Sequence, residues 1–385
     1  MNRPVDYRKR GQAVWLDSIS ARMIATGELA GRIEAGAIYG VTSNPTIFAQ
    51  AISKSDGDYE SRIANLADEG KDAFDVYDDL TRGDIAAGAD LFAGQHAANA
   101  EDGWISLEVL PSLALDIEGT IAEALRLHGL LGRPNVFIKV PATPAGCVAI
   151  RELIGSGVSV NVTLMFNRKH YRDVARAYQD GIAAFVASGG DPSKVSSVAS
   201  FFVSRVDTLV DRLLGEKAQA APAPLRARLD ALRGKAALAN AKVVYQDYLA
   251  TFGTGAWKAL AAKGARVQRP LWASTGTKNP AYPDLLYVEN LVGPDTVNTL
   301  PEKTLEALLD HGRDLGDTVL EGVDEAQRTL DELRELGFDV EQLGEKLQIE
   351  GIVSFEKSYD ELLGVVEERR RATLIESART VKIRT

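Results

Sequence analysis

The strongest constraint on the fold is an alternation. Short runs rich in β-branched residues recur along the chain at 12–18, 37–42, 104–109, 135–143, 158–163, 195–203, 270–275 and 296–300, and most are followed by helical spacing. Strand then helix, repeated, is the pattern of a parallel sheet with helical crossovers. Side chains on a strand alternate faces. In the run at 135–143, Val136, Ile138 and Val140 share one face, while Asn135, Phe137 and Lys139 share the other. The run at 158–163 divides in the same way, with three valines opposite Ser159, Asn161 and Thr163. A branched apolar face for the helices and a small, aromatic or polar face for an interior define a closed (β/α)8 TIM barrel. A doubly wound sheet is the alternative, but it needs a Gly-rich turn after the first strand, where this chain has Asp17-Ser18-Ile19-Ser20.

The expected helices span 20–35, 46–100 with a break near 55–58, 116–130, 145–155 and 167–188. A long helical stretch after the sixth strand is interrupted by Ala-Pro-Ala-Pro at 221–224, which marks 216–234 as a helical insertion. Residues 302–371 read as a C-terminal helical extension with breaks at Gly337 and near Gly351. The last stretch, 373–385, has no strong period and is expected to fray or lie along the surface. The expectation is one (β/α)8 barrel domain over residues 1–385 that carries these additional helices.

A formal net charge of -10 argues against nucleic acid or an anionic membrane as the main partner, yet leaves room for a local phosphate site. The basic start, with Arg3, Arg8, Lys9 and Arg10, is not followed by an apolar segment of signal-peptide type, and no run is long enough to span a membrane. A cytoplasmic protein is expected. With one cysteine, Cys147, and four scattered histidines, no local metal-ligand motif is present.

In a barrel of this kind the chemistry sits at the C-terminal ends of the strands. The polar residues expected there are Asp17, Asn44, Glu108, Lys139, Asn161, Thr163, Ser200 and Ser274. A buried ammonium is costly unless it is paired or loses its proton. A snorkelling or salt-bridged lysine is the plain explanation for Lys139. The chemical one is an amine that forms a Schiff base with a carbonyl substrate. Lowering a lysine pKa from about 10.4 to about 7–8 takes roughly 3–5 kcal/mol. A carboxylate in contact would oppose that shift, so Asp17 and Glu108 are expected to act through substrate or water rather than pair tightly with Lys139. Arg205 and Lys278 are candidate phosphate anchors, one able to grip in a bidentate manner and the other a point charge. Plain alternatives are Asp17 as a helix cap, Asn44 as a turn residue, a backbone bond from Thr163, and an Arg205–Asp207 salt bridge.

Five segments, Trp15-Leu16-Asp17, Thr42-Ser43-Asn44-Pro45-Thr46, Ile138-Lys139-Val140-Pro141-Ala142-Thr143, Asn161-Val162-Thr163-Leu164 and Ser200-Phe201-Phe202-Val203-Ser204-Arg205, resemble the transaldolases in order. The segment Trp272-Ala273-Ser274-Thr275-Gly276-Thr277-Lys278-Asn279-Pro280 and the length resemble the long bacterial form. The resemblance implies transfer of a dihydroxyacetone unit from sedoheptulose 7-phosphate or fructose 6-phosphate to glyceraldehyde 3-phosphate or erythrose 4-phosphate, in the non-oxidative pentose phosphate pathway. It implies a Schiff base on Lys139, proton abstraction by Asp17, and proton movement by Glu108 with Thr163 and a water. Asn44, Asn161 and Ser200 would hold hydroxyls, and Arg205, Ser274 and Lys278 would bind phosphate. No metal or organic cofactor is implied, and the enzyme would be a monomer or homodimer. The short members carry an arginine near the strand-seven serine, where this chain has Lys278 in a differently spaced loop. Small aldolases of the same superfamily carry a tyrosine where Phe202 appears here, and a phenyl ring cannot relay a proton, so Phe202 favours transfer over release. The other competing reading is a non-catalytic sugar-phosphate-binding barrel.

Overall fold

The computed structural model describes residues 3–55 and 57–383, with side chains described up to residue 375. Eight parallel strands close into a barrel in chain order: β1 (Gln12–Leu16), β2 (Gly40–Val41), β3 (Trp104–Glu108), β4 (Val136–Pro141), β5 (Val160–Met165), β6 (Ser197–Phe202), β7 (Arg269–Ala273) and β8 (Thr296–Leu300). Closure comes from β1 pairing with β8 over all five residues, from Gln12 opposite Thr296 to Leu16 opposite Leu300. The expected (β/α)8 barrel with additional helices is the architecture observed.

Several elements differ from the sequence expectation in informative ways. The second strand is only two residues long, and its Gly40 lies so close to the Trp15 ring and the Trp104 carbonyl that a Cβ there would stand 2.6 and 2.7 Å from them. The helix expected over 20–35 is two short helices, Ala21–Ala25 and Glu28–Glu34, parted by Gly27 at a φ of +78°. The stretch 46–100 breaks a second time at Gly70, giving Glu60–Asp68 and Ala73–Ala98 after Pro45–Ser53. Residue 56, within the expected first break, and residues 1, 2, 384 and 385, within the basic start and the expected frayed end, lie outside the described residues. The basic start folds as a helix, Arg3–Lys9, anchored by Arg8 on Asp102 at 2.9 Å and by the Tyr7 hydroxyl on the Arg313 carbonyl at 2.7 Å.

The largest departure concerns the C-terminal helix. The break at Gly337 is present, but the expected one near Gly351 is not: a single helix runs from Val340 to Ile383. It lies over the strand ends, packed on β5 and on the Pro45–Ser53 and Glu60–Asp68 helices. Gly351 is small because the helix passes close, a Cβ there standing 2.9 Å from Leu164 Cδ2. The insertion is the end of the Ser204–Gln219 helix plus a short helix, Ala223–Ala231, tied back by Arg228 to Glu332 at 3.0 Å.

Inside the barrel, aromatic rings fill the lower layer. Phe137 stacks on Trp104 with centroids 4.0 Å apart and on Trp15 at 6.2 Å. This places Phe137 beneath Lys139 on the interior face. Phe137→Ala removes a fully buried ring from between two indoles and is expected to cost about 3–5 kcal/mol. Urea unfolding measures it, and a loss below about 1 kcal/mol would contradict the filled interior.

Candidate functional site

The interior changes from aromatic to polar above the rings. Asn161 donates to the Ser106 hydroxyl at 3.0 Å and accepts from the Ser200 hydroxyl at 2.6 Å, which links β3, β5 and β6 across the barrel. Above this layer opens a cavity of about 310 Å³ at the C-terminal strand ends. Its lining includes Asp17, Asn44, Lys139, Thr163, Ser200, Phe202, Arg205, Ser274 and Lys278. Nine of the eleven residues singled out from the sequence therefore share one cavity. Asn161 lies beneath it and Glu108 beside Lys139. A cleft of similar volume near Cys147 and His170 lies apart from these residues, and burial pushes the Cys147 thiol up to about 11, the opposite of nucleophilic activation.

Lys139 is 5% exposed. Its ammonium donates to the Ser43 carbonyl at 2.9 Å and stands 3.4 Å from Glu108 Oε2. This corrects the expectation that Glu108 would act through substrate or water rather than pair tightly with Lys139. The cause is register: Glu108 and Lys139 are direct neighbours on β3 and β4, with side chains on the same interior face. At 3.4 Å the contact is ionic and longer than a charge-assisted hydrogen bond. Burial raises the Glu108 carboxyl pKa, with Lys139 opposing the rise. Burial thus works against the ionised carboxylate of Glu108, and the nearby ammonium works for it.

Asp17 follows β1 and does not cap the next helix, whose N-cap is Ser20. It accepts a 2.6 Å hydrogen bond from the Thr42 hydroxyl. The Thr42 and Thr299 hydroxyls are also 2.6 Å apart. With Thr42's hydrogen committed to Asp17, Thr299 is the donor in that pair. Burial raises the Asp17 pKa, and Thr42, Lys139 and Lys278 counter it. Asn44 is the N-cap of the Pro45–Ser53 helix, its side-chain oxygen accepting from Ile47 N–H at 3.0 Å. One residue thus both starts a helix and leaves its amide hydrogens toward the cavity.

Thr163 is set by an irregularity. The β5–β6 register shifts between Val162 and Met165, and Leu164 takes a φ of +60°. Such bulges re-aim side chains near sites. The Thr163 hydroxyl is buried and has no hydrogen-bond partner among the described residues, so the suggested backbone bond is not made. A buried hydroxyl left open in this way, on the lining of a cavity, has hydrogen-bonding capacity to offer a ligand or water.

Arg205 is the cation of the opposite wall. Asp207 does not pair with it; that carboxylate accepts from Ala237 N–H at 2.7 Å and from the Tyr287 hydroxyl at 2.8 Å. Arg205 has no carboxylate within ion-pair distance among the described residues, and burial lowers its pKa. Its guanidinium lies 5.5 Å from the centre of the Phe202 ring. Nearby, Ser274 holds a left-handed φ of +56°, its hydroxyl 3.0 Å from that of Ser204 and its carbonyl accepting from Ser204 N–H at 3.0 Å. A serine held there costs of order 1–3 kcal/mol, a strain typical of ligand sites. Lys278 is exposed at the rim. Sequence reasoning missed Thr42, Ser43 and Phe355, which also shape the site. Ser43 acts through its backbone carbonyl and Phe355 comes from the far end of the chain, so neither left a local signal; Thr42 beside Asn44 was readable.

Residues 14–366 match the family described as Transaldolase/Fructose-6-phosphate aldolase. The chain belongs to that family. A transaldolase of Saccharopolyspora erythraea is 46% identical over 359 residues, covering 93% of this chain and 95% of the relative. A protein of Streptomyces coelicolor named transaldolase 1 is 46% identical over 93% of this chain and 92% of its own length. A transaldolase of Trichodesmium erythraeum is 40% identical, with 96% and 97% covered. These relatives carry the name of a transferase, and the chain is an enzyme of their family.

Thr42→Val removes the donor that favours ionised Asp17, a hydrogen bond worth about 1.5–3 kcal/mol to a charged acceptor. The Asp17 pKa should rise further, so that ionisation begins at a higher pH than in the native protein. Carboxyl-carbon NMR titration reads this directly; an unchanged or lowered pKa would contradict the bond.

Proposed function

We propose that this chain is a transaldolase that moves a dihydroxyacetone unit between sugar phosphates through a Schiff base on Lys139. The observation that carries the proposal is the buried Lys139 amine, beside Glu108, in one cavity with Asp17 and with an Arg205 that has no carboxylate partner among the described residues. Sedoheptulose 7-phosphate or fructose 6-phosphate is the donor; glyceraldehyde 3-phosphate or erythrose 4-phosphate is the acceptor. The reaction belongs to the non-oxidative pentose phosphate pathway and to the cytoplasm, and the enzyme acts as a monomer or homodimer.

Each step uses a named group. Glu108 takes a proton from Lys139, and the neutral amine attacks the C2 carbonyl of the donor. Glu108 returns protons to the departing oxygen, with Thr163 holding the water that leaves. The iminium withdraws electrons from the C3–C4 bond while Asp17 takes the proton of the C4 hydroxyl. The bond breaks, an aldose phosphate departs, and the three-carbon unit stays on Lys139 as an enamine. An acceptor aldehyde enters, the enamine carbon attacks it, and Asp17 returns the proton to the new hydroxyl. Water then adds across the C=N bond and frees the ketose. Asn44 and Ser200 hold hydroxyls of the three-carbon unit, with Asn161 keeping Ser200 in place from below. Arg205 grips the phosphate from Phe202, Ser274 and Lys278's side of the cavity.

Release of free dihydroxyacetone, as in an aldolase, is the competing outcome. The phenyl ring of Phe202 lacks a hydroxyl to relay a proton, which supports transfer. Fructose 6-phosphate with erythrose 4-phosphate should yield sedoheptulose 7-phosphate and glyceraldehyde 3-phosphate, with free dihydroxyacetone a minor product. Dominant dihydroxyacetone release would replace transfer with lyase chemistry, and no turnover of either kind would leave a binding protein.

A further inference from the structure

The C-terminal helix is placed against the cavity by one face. Gly344, Gln348, Gly351 and Phe355 are spaced by four, three and four residues, the spacing of a single helical stripe. The two glycines let the helix approach: a Cβ on Gly344 would stand 2.7 Å from the Asn167 Cβ, and one on Gly351 would meet Leu164 at 2.9 Å and Arg205 at 3.7 Å. Between them, the buried Gln348 amide donates to the Ala142 carbonyl at 2.9 Å and the Leu164 carbonyl at 3.0 Å. Those carbonyls follow Pro141 at the end of β4 and Thr163 in the bulge of β5. The glutamine therefore fixes the helix to the two strands that carry Lys139 and Thr163.

Two turns on from Gln348 comes Phe355, 5% exposed. It lines the reaction cavity together with Asp17, Lys139 and Arg205. It also lines a separate void of about 10 Å³ bounded by Glu108, Pro141 and Leu164. A space of that size sits at the lower limit for one water. The Phe355 side chain is thus the partition between the cavity and the pocket beside Glu108.

We infer that Phe355 is a specificity-determining residue, which keeps water from protonating the enamine carbon of the three-carbon unit on Lys139, so that the unit is transferred rather than released. The inference rests on the Schiff-base reading above. Release needs a proton on the enamine carbon and then one water across the C=N bond, giving dihydroxyacetone and the free Lys139 amine. Transfer needs the acceptor aldehyde at that same carbon. One enamine divides between protonation by water and attack on the acceptor, so the ratio reports on water at the enamine carbon and does not depend on how much enzyme is folded; the later hydrolysis of the C=N bond is common to both routes. Gln348 is a positioning residue for the same partition, acting through the helix.

The test measures dihydroxyacetone released against sedoheptulose 7-phosphate formed, from fructose 6-phosphate at fixed erythrose 4-phosphate. Phe355→Ala should raise the release-to-transfer ratio about tenfold, the scale of losing an apolar group from a pocket. Phe355→Leu should raise it less, and Gln348→Met, which keeps length but has no donor, should shift it in the same direction. If Phe355→Ala does not fold, the other two variants decide. Ratios that stay within about twofold of native while both rates fall together would overturn the inference and leave Phe355 a packing residue. If the native enzyme makes no transfer product, the Schiff-base transfer reading fails first, which is a separate result.

Discussion

Everything in the site depends on burying one amine beside one carboxyl. Two charges taken into a barrel interior cost more than a contact at 3.4 Å returns, unless other groups help or the proton is shared. The fold supplies that help through the Ser43 carbonyl, which accepts from Lys139 at 2.9 Å. Ser43 is itself fixed, its hydroxyl donating to the Ser106 carbonyl at 2.7 Å. The aromatic stack of Trp15, Phe137 and Trp104 closes the interior below. The amine therefore has only the cavity above it to face, and its chemistry follows from that geometry.

The polar groups form layers. Ser106, Asn161 and Ser200 make a cross-barrel bridge that occupies the polar atoms nearest the core. Above it some hydrogen-bonding capacity is left open: among the described residues, the Thr163 hydroxyl has no partner and the Arg205 cation has no carboxylate. Unmet polar capacity in a folded interior costs free energy, and at this cavity it is accessible to a polar ligand. Asn44 and Ser274 show the same economy, one spent on a helix cap and the other held in a left-handed turn, both facing the cavity.

Much of this was legible in the chain. The eight strands were readable because a closed barrel imposes a two-faced pattern on each strand, and Lys139 stood out as a charge on a face that should be interior. Gly351 was misread for a physical reason. Glycine weakens a helix and signals a break in isolation, yet here it is the point of closest approach to Leu164. The contact between Glu108 and Lys139 depends on the register of two strands separated by a helix, which residue patterns do not set. The close approach at Gly40 was equally hidden, since Trp15 and Trp104 reach it from elsewhere in the sequence. The role of the C-terminal helix required knowing where a segment more than two hundred residues from Lys139 returns to the barrel.

The central claim is that Lys139 is the amine that takes up the substrate carbon. Borohydride reduction in the presence of fructose 6-phosphate, followed by peptide mass mapping, tests it most directly. The account predicts a reduced three-carbon adduct on Lys139, absent in Lys139→Ala. An adduct on another lysine, or none at all in an enzyme that still turns over its substrate, would contradict it.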